Sequence, residues 1–238
     1  MQRRNFLLGT ASLGVMAATR AARAVTGAGE SPSEPGQTPR PERDVPVAFA
    51  IADGAQVIDF AGPWEVFQDV AVPGSGDDVD SGFRLFTVAE TMEPVRATGG
   101  LRLAPDYTFQ TAPQPRIIVV GAQRGTKVLH AWLKQASEKA DLTMSVCTGA
   151  FQLARAGLLA GKPATTHHLF LDKLEKDFPD IQVKRGLRFV EAGPRLATAG
   201  GLTSGIDLAL HVVDRRLGRA VAEQTASYME YQSKGWIV

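Results

Sequence analysis

The chain has 238 residues, with 26 Lys and Arg against 25 Asp and Glu, and a single cysteine. That near-neutral balance excludes the basic surface a nucleic-acid-binding protein needs. One cysteine excludes an intrachain disulfide, and 44% hydrophobic residues suffice for a sizeable core.

In chain order, Arg3-Arg4 opens onto an apolar stretch over residues 6–18, and Ala22-Arg23-Ala24 supplies a small-x-small cleavage site. Residues 1–24 read as a twin-arginine signal peptide, which places the mature protein in the periplasm or outside the cell. The apolar run is too short for a membrane span, so no stable membrane insertion is expected once the leader is removed. The leader holds Arg3, Arg4, Arg20 and Arg23 and no acid, so the remainder has 22 basic and 25 acidic residues. Residues 25–43 are rich in Pro, Gly, Ser and Glu and predict a disordered linker. Residues 44–238 predict one domain.

Within that domain, apolar runs alternate with helical patterns. Strands are predicted at 45–51, 83–88, 116–121 and 142–146, with an edge strand or hairpin at 101–107. Helices are predicted at 58–70, 126–140, 148–156, 204–217 and 220–231, and short strands at 188–190 and 195–198. Buried runs separated by helices predict an α/β fold, a parallel sheet sandwiched by helices on both faces. Such sheets place their sites at the carboxyl ends of the strands.

Cys147 stands at such an end, where the 142–146 strand turns into a helix at Gly149. Helix amides and the dipole there favour a thiolate, although most free cysteines are small buried hydrophobes. Asp59 lies between Val57, Ile58 and Phe60 at a helix start. It reads as a helix cap, as a desolvated acid of raised pKa, or as both. Gly121 and Ala122 end the 116–121 strand and are small enough for their amides to approach a ligand. With the amide after Cys147 they would form an oxyanion hole, unless they only make a tight turn. His167 is a candidate substrate-contacting residue, with Gly201, and alternatively a base for Cys147. His167 and His168 lack any metal-binding spacing, so no metal is expected. His211 reads as a hydrogen-bonded core residue and His130 as an ordinary helix position. The glycines Gly200, Gly201 and Gly205 read as a site wall and helix entry, without the Lys-Ser/Thr of a phosphate loop. Asp77, Asp78 and Asp80 read as a solvated turn, not a calcium loop.

Four blocks then occur in order: Ile58-Asp-Phe-Ala-Gly-Pro-Trp-Glu-Val-Phe67, Val-Cys147-Thr-Gly-Ala, Ala156-Gly-Leu-Leu-Ala-Gly-Lys-Pro-Ala-Thr-Thr-His167, and Ala199-Gly-Gly-Leu-Thr-Ser-Gly-Ile-Asp-Leu-Ala-Leu210. Together they resemble the ThiJ/PfpI superfamily over roughly residues 45–232. Within it they look most like isonitrile hydratases and the sensor domains of AraC-type regulators. The resemblance implies a flavodoxin-like, class I glutamine amidotransferase-like fold. It implies a nucleophilic Cys147, an opposing Asp59 and an assisting Thr148, with no cofactor. It also implies a small-molecule substrate and a homodimer. Protease-like and many glyoxalase-like members carry a histidine where this chain has Thr148. Two departures stand out: only Gly121 keeps the usual Pro-Gly-Gly of the oxyanion loop, and His168 replaces a common tryptophan. The expected activity is hydration of an isonitrile to an N-substituted formamide. The alternatives are another small-molecule lyase or hydrolase of glyoxalase or deglycase type, or a ligand-binding or redox-sensing domain.

Overall fold

The computed structural model describes residues 44–72 and 82–238. The leader, the linker and the Asp77, Asp78 and Asp80 turn lie outside the described residues.

Strand β1 (Val45–Ala50) leads into α1 (Val57–Gln68), β2 (Phe83–Ala89), β3 (Val95–Arg96), β4 (Arg102–Leu103), β5 (Tyr107–Thr108) and β6 (Ile117–Val120). Then come α2 (Lys127–Ser137), β7 (Leu142–Ser145), α3 (Gly149–Arg155), β8 (Pro163–Ala164), α4 (Leu171–Asp177) and β9 (Gln182–Val183). The chain closes with β10 (Phe189–Glu191), β11 (Leu196–Ala199), α5 (Ser204–Leu217) and α6 (Arg219–Tyr228). Seven strands form one sheet in the order β10-β11-β7-β6-β1-β2-β5. All neighbours in it are parallel except the β10–β11 pair at one edge.

The central strands alternate their side chains between two dry cores. Val47, Phe49, Ile117, Val119, Met144 and Val146 face α1, α5 and α6. Ala48, Ala50, Ile118 and Val120 face α2 and α3 instead. Both faces are therefore covered, as the continuous apolar runs predict.

The differences from expectation are local. The 101–107 segment does not form one hairpin. Arg102 pairs with Arg96 in a small separate ribbon, and Tyr107 adds to the main sheet beside Val88. Helix α4 and the β8–β9 ribbon carry no period long enough to stand out in the sequence. Thr126 is the cap of α2, accepting the Leu129 N–H at 3.0 Å, rather than its first helical residue.

The carboxyl ends of β6 and β7 bring two backbones together at the start of α3. A Cβ on Gly149 would stand 2.2 Å from the Val120 carbonyl oxygen. Gly149→Ala therefore has to push α3 off the sheet. Denaturant unfolding should show a loss of about 3 kcal/mol or more; a loss below about 1 kcal/mol would mean that the helix start is free to move.

Candidate active site

Cys147 occupies the corner between β7 and α3 with φ 58°. A residue with a Cβ enters this left-handed region only under strong local constraint. The constraint is a set of hydrogen bonds. The Cys147 N–H donates to the Gly200 carbonyl at 2.8 Å, and the Thr166 hydroxyl donates to the Cys147 carbonyl at 2.8 Å. Gly149 N–H donates back to the Val146 carbonyl at 2.9 Å. The side chain is directed into the site with only 6% of its surface exposed. Two backbone N–H groups act on its sulfur, those of Thr148 and Leu202. Leu202 is itself left-handed, at φ 53°.

Asp59 sits in the first turn of α1 and is fully buried. It does not cap that helix. Gln56 is the cap residue, and the Asp59 side chain turns inward instead. Its Oδ2 accepts the Ala122 N–H at 2.9 Å. Gly121 makes the approach possible, because a Cβ there would lie 2.7 Å from the Asp59 Cβ. Oδ1 is buried without a fully formed hydrogen bond, yet the carboxyl and the Cys147 thiol are close enough to shift each other's titration.

Burial raises the Asp59 pKa to about 6, against the pull of the Ala122 N–H and the thiol. Burial, and then the Asp59 charge, push Cys147 up to about 11, against the Thr148 and Leu202 amides. At neutral pH the pair is therefore a carboxylate beside a neutral thiol. This corrects the expectation of a resting thiolate: two amides do not outweigh desolvation plus a facing negative charge. It also corrects the oxyanion loop, because the Ala122 N–H is already committed to Asp59.

The other candidates fall around this pair. Thr148 is half-buried at the cap of α3, and its side chain caps no amide. His167 packs its ring against Gly201, stacks on His168 at 4.4 Å and accepts the Leu169 N–H at Nδ1. Burial, and then the neighbouring His168, lower its pKa. It is not among the groups that act on the thiol, whereas Asp59 is, so of the two candidate bases the geometry favours Asp59. Among the described residues no group of three or more His, Cys, Asp or Glu is arranged to hold a metal.

Three contributions had no clear sequence signal. The Leu202 amide is a backbone group, and only the preceding glycines hint at it. Thr166 was visible within the Thr-Thr-His block, but not as the holder of the Cys147 carbonyl. His130 is not an ordinary surface position. Its Nε2 meets Gln152 Oε1 at 2.9 Å, and Gln152 Nε2 donates to the Gln123 carbonyl at 2.9 Å. That chain ties the loop bearing Ala122 to α3. His211 is in the core against Phe189, but it is not the hydrogen-bonded residue expected: neither ring nitrogen makes a hydrogen bond among the described residues, and Nε2 lies 3.3 Å from Glu191 Oε1.

A cleft of about 340 Å³ is walled by Thr166, His167, His168, Arg188 and the 200–204 loop; Thr166, Gly200 and Leu202 in that wall are the residues that hold Cys147, although Cys147 itself is not part of it. Another, of about 390 Å³, lies over Ile51, Asp53, Glu90, Glu93 and Arg124.

This chain belongs to the DJ-1/PfpI family, whose model matches residues 45–215. It is 32% identical over 191 residues to an isonitrile hydratase of Pseudomonas putida, covering 78% of each chain. It is 28% identical over 203 residues to the HTH-type transcriptional regulator GbdR of Pseudomonas aeruginosa, covering 83% of this chain and 54% of that one. The chain thus spans about half the length of that regulator. A crystal structure of a ThiJ/PfpI family protein from Pseudomonas syringae superposes with a TM-score of 0.68 at 26% identity, covering 85% of this chain and 84% of that one. The sheet is the flavodoxin-like, class I glutamine amidotransferase-like fold.

A raised carboxyl pKa has a definite sign for stability. Native Asp59 keeps its proton up to about pH 6, whereas its unperturbed value is 3.8, so its contribution falls as pH rises through that window. Asp59→Asn mimics the protonated form. Its melting temperature should exceed wild type by several degrees at pH 8, a gain on the order of 3 kcal/mol. At pH 4 the two should nearly coincide. A variant less stable than wild type at pH 8 would contradict the buried, strained carboxylate.

Proposed function

We propose that this DJ-1/PfpI member is a cofactor-free hydratase that converts an isonitrile to an N-substituted formamide. The observation that carries the proposal is the buried Asp59 carboxyl beside the neutral Cys147 thiol, fixed by the Ala122 amide. The 32% identity to an isonitrile hydratase supports the same reading.

The chemistry follows from the protonation states. An isonitrile carbon accepts both a nucleophile and a proton. Asp59 takes the thiol proton as sulfur attacks that carbon, then delivers it to the same carbon. One S–C bond and one C–H bond form, giving a thioimidate on Cys147. The Leu202 and Thr148 amides steady the sulfur while it carries negative charge. Asp59 next removes one proton from water as the oxygen adds to the thioimidate carbon and passes it to the nitrogen, leaving the water's second proton on the new hydroxyl for sulfur. The C–S bond breaks, sulfur regains a proton through Asp59, and the formamide leaves. The Thr148 hydroxyl, which caps no amide, would hydrogen-bond the substrate nitrogen. No redox equivalent is consumed.

A second reading, a ligand-binding domain without turnover, is favoured by the likeness to a transcriptional regulator. Redox sensing is the weaker variant of it, because the oxidised species is the thiolate and Cys147 is held as a thiol. Export through the twin-arginine pathway, a small-molecule substrate and a homodimeric assembly belong to the same proposal.

Formation of N-cyclohexylformamide from cyclohexyl isocyanide tests it. Wild type should turn over, Cys147→Ala should not, and Asp59→Asn should lose about a hundredfold or more in kcat. No turnover by wild type would leave ligand binding as the reading. In wild type, kcat/KM should climb as pH rises through about 6, because Asp59 must be ionised to accept the thiol proton. A profile that falls across that range would reverse the role given to Asp59.

A further inference from the structure

The cleft walled by Thr166 and Leu202, two residues that act on Cys147, carries a cationic group that the hydration chemistry does not use. Arg188 leads into β10 and forms part of the cleft wall, with 39% of its side chain exposed. Its Nε donates to Asp207, and its Nη2 contacts Asp207, the Thr203 hydroxyl at 3.1 Å and the Tyr231 hydroxyl at 3.4 Å. Among the described residues Nη1 has no partner. Asp207 is fully buried and is itself fixed by the Ser233 hydroxyl at 2.9 Å. The guanidinium is thus held rigidly by one edge, with its remaining amino group left over for something else.

Its position relates it to the nucleophile. The Arg188 carbonyl accepts the Gly200 N–H at 2.9 Å, and the Gly200 carbonyl accepts the Cys147 N–H. The guanidinium binds Thr203, next in the chain to Leu202, whose N–H acts on the thiol. A small molecule in the cleft thus lies between Arg188 and Leu202, the residue whose N–H acts on the thiol. No carboxylate lines this cleft, whereas Asp53, Glu90 and Glu93 line the other. Leu187 and Leu202, both substantially exposed, add apolar surface to the same wall.

We infer that Arg188 Nη1 is an anion-recognition point that selects substrates carrying a carboxylate a few bonds from the electrophilic carbon. The substrate class is then a small isonitrile bearing a carboxylate, with modest apolar bulk. The electrophile rests on the hydratase reading, but the anion site does not. A guanidinium donating to a carboxylate makes a charge-assisted bond, strongest where, as here, the side chain is already immobilised.

Alkylation of the single cysteine separates the two claims. Iodoacetate and iodoacetamide deliver the same carbon to sulfur and differ only in charge. Their rate ratio at Cys147 should be about tenfold or more higher in wild type than in variants lacking the Nη1 donor. Arg188→Lys keeps a cation on Asp207, and the Arg188→Gln, Asp207→Asn double variant removes both charges, so neither strands a buried ion. The matching substrates are isocyanoacetate and its ethyl ester. Wild type should prefer the acid, and the variants should lose that preference about tenfold. Unchanged ratios in both variants would overturn the anion site even if the ester is hydrated. An iodoacetate preference without hydration of either isonitrile would uphold the anion site and sink the hydratase. Failure of either alkylating agent to reach Cys147 would also overturn the inference, since the cleft would not lead to the thiol.

Discussion

A carboxyl and a thiol share one desolvated corner, and most of the architecture exists to keep them there. Neither group would choose the arrangement. Burial penalises the ionised form of each, and the charge of Asp59 further disfavours a thiolate on Cys147. The result is a pair whose single negative charge resides on oxygen at neutral pH. In the proposed reaction such a pair would move a proton between sulfur and substrate without needing an exposed nucleophile.

The fold supplies the constraint from three directions. Strand β7 and helix α3 force Cys147 into a left-handed conformation, with Thr166 and Gly200 holding its carbonyl and N–H. The end of β6 contributes Gly121, which leaves space for Asp59, and Ala122, whose amide orients it. The loop after β11 brings the Leu202 amide to the sulfur in a second left-handed turn. Strain of this kind persists only when the surroundings over-determine it. Here the anchors are a parallel sheet with both faces buried and a C-terminal segment whose Trp236 is fully buried.

The layered architecture was legible because buried strands and amphipathic helices differ in period. The residues of the site were legible for a different reason: Cys147, Asp59 and Gly121 are each unusual for their surroundings in the chain. What could not be read was the balance of forces among them. A thiol at a helix start looks like a thiolate until the facing carboxylate and the depth of burial are known. The role of Ala122 was likewise hidden, because a backbone amide serves Asp59 or a substrate with the same sequence. Leu202 and Arg188 act through the folded loop and the guanidinium edge, neither of which follows from spacing. The leader and linker, read from composition, lie outside the described residues.

The central claim is electrostatic, so the decisive measurement is a titration. Thiolate absorbance near 240 nm can be followed against pH for the sole cysteine, in wild type and in Asp59→Asn. The wild-type midpoint should lie well above the free value of about 8.5, and removing the Asp59 charge should lower it while burial keeps it above that value. A wild-type midpoint at or below the free value would contradict the account. So would a midpoint indifferent to Asp59.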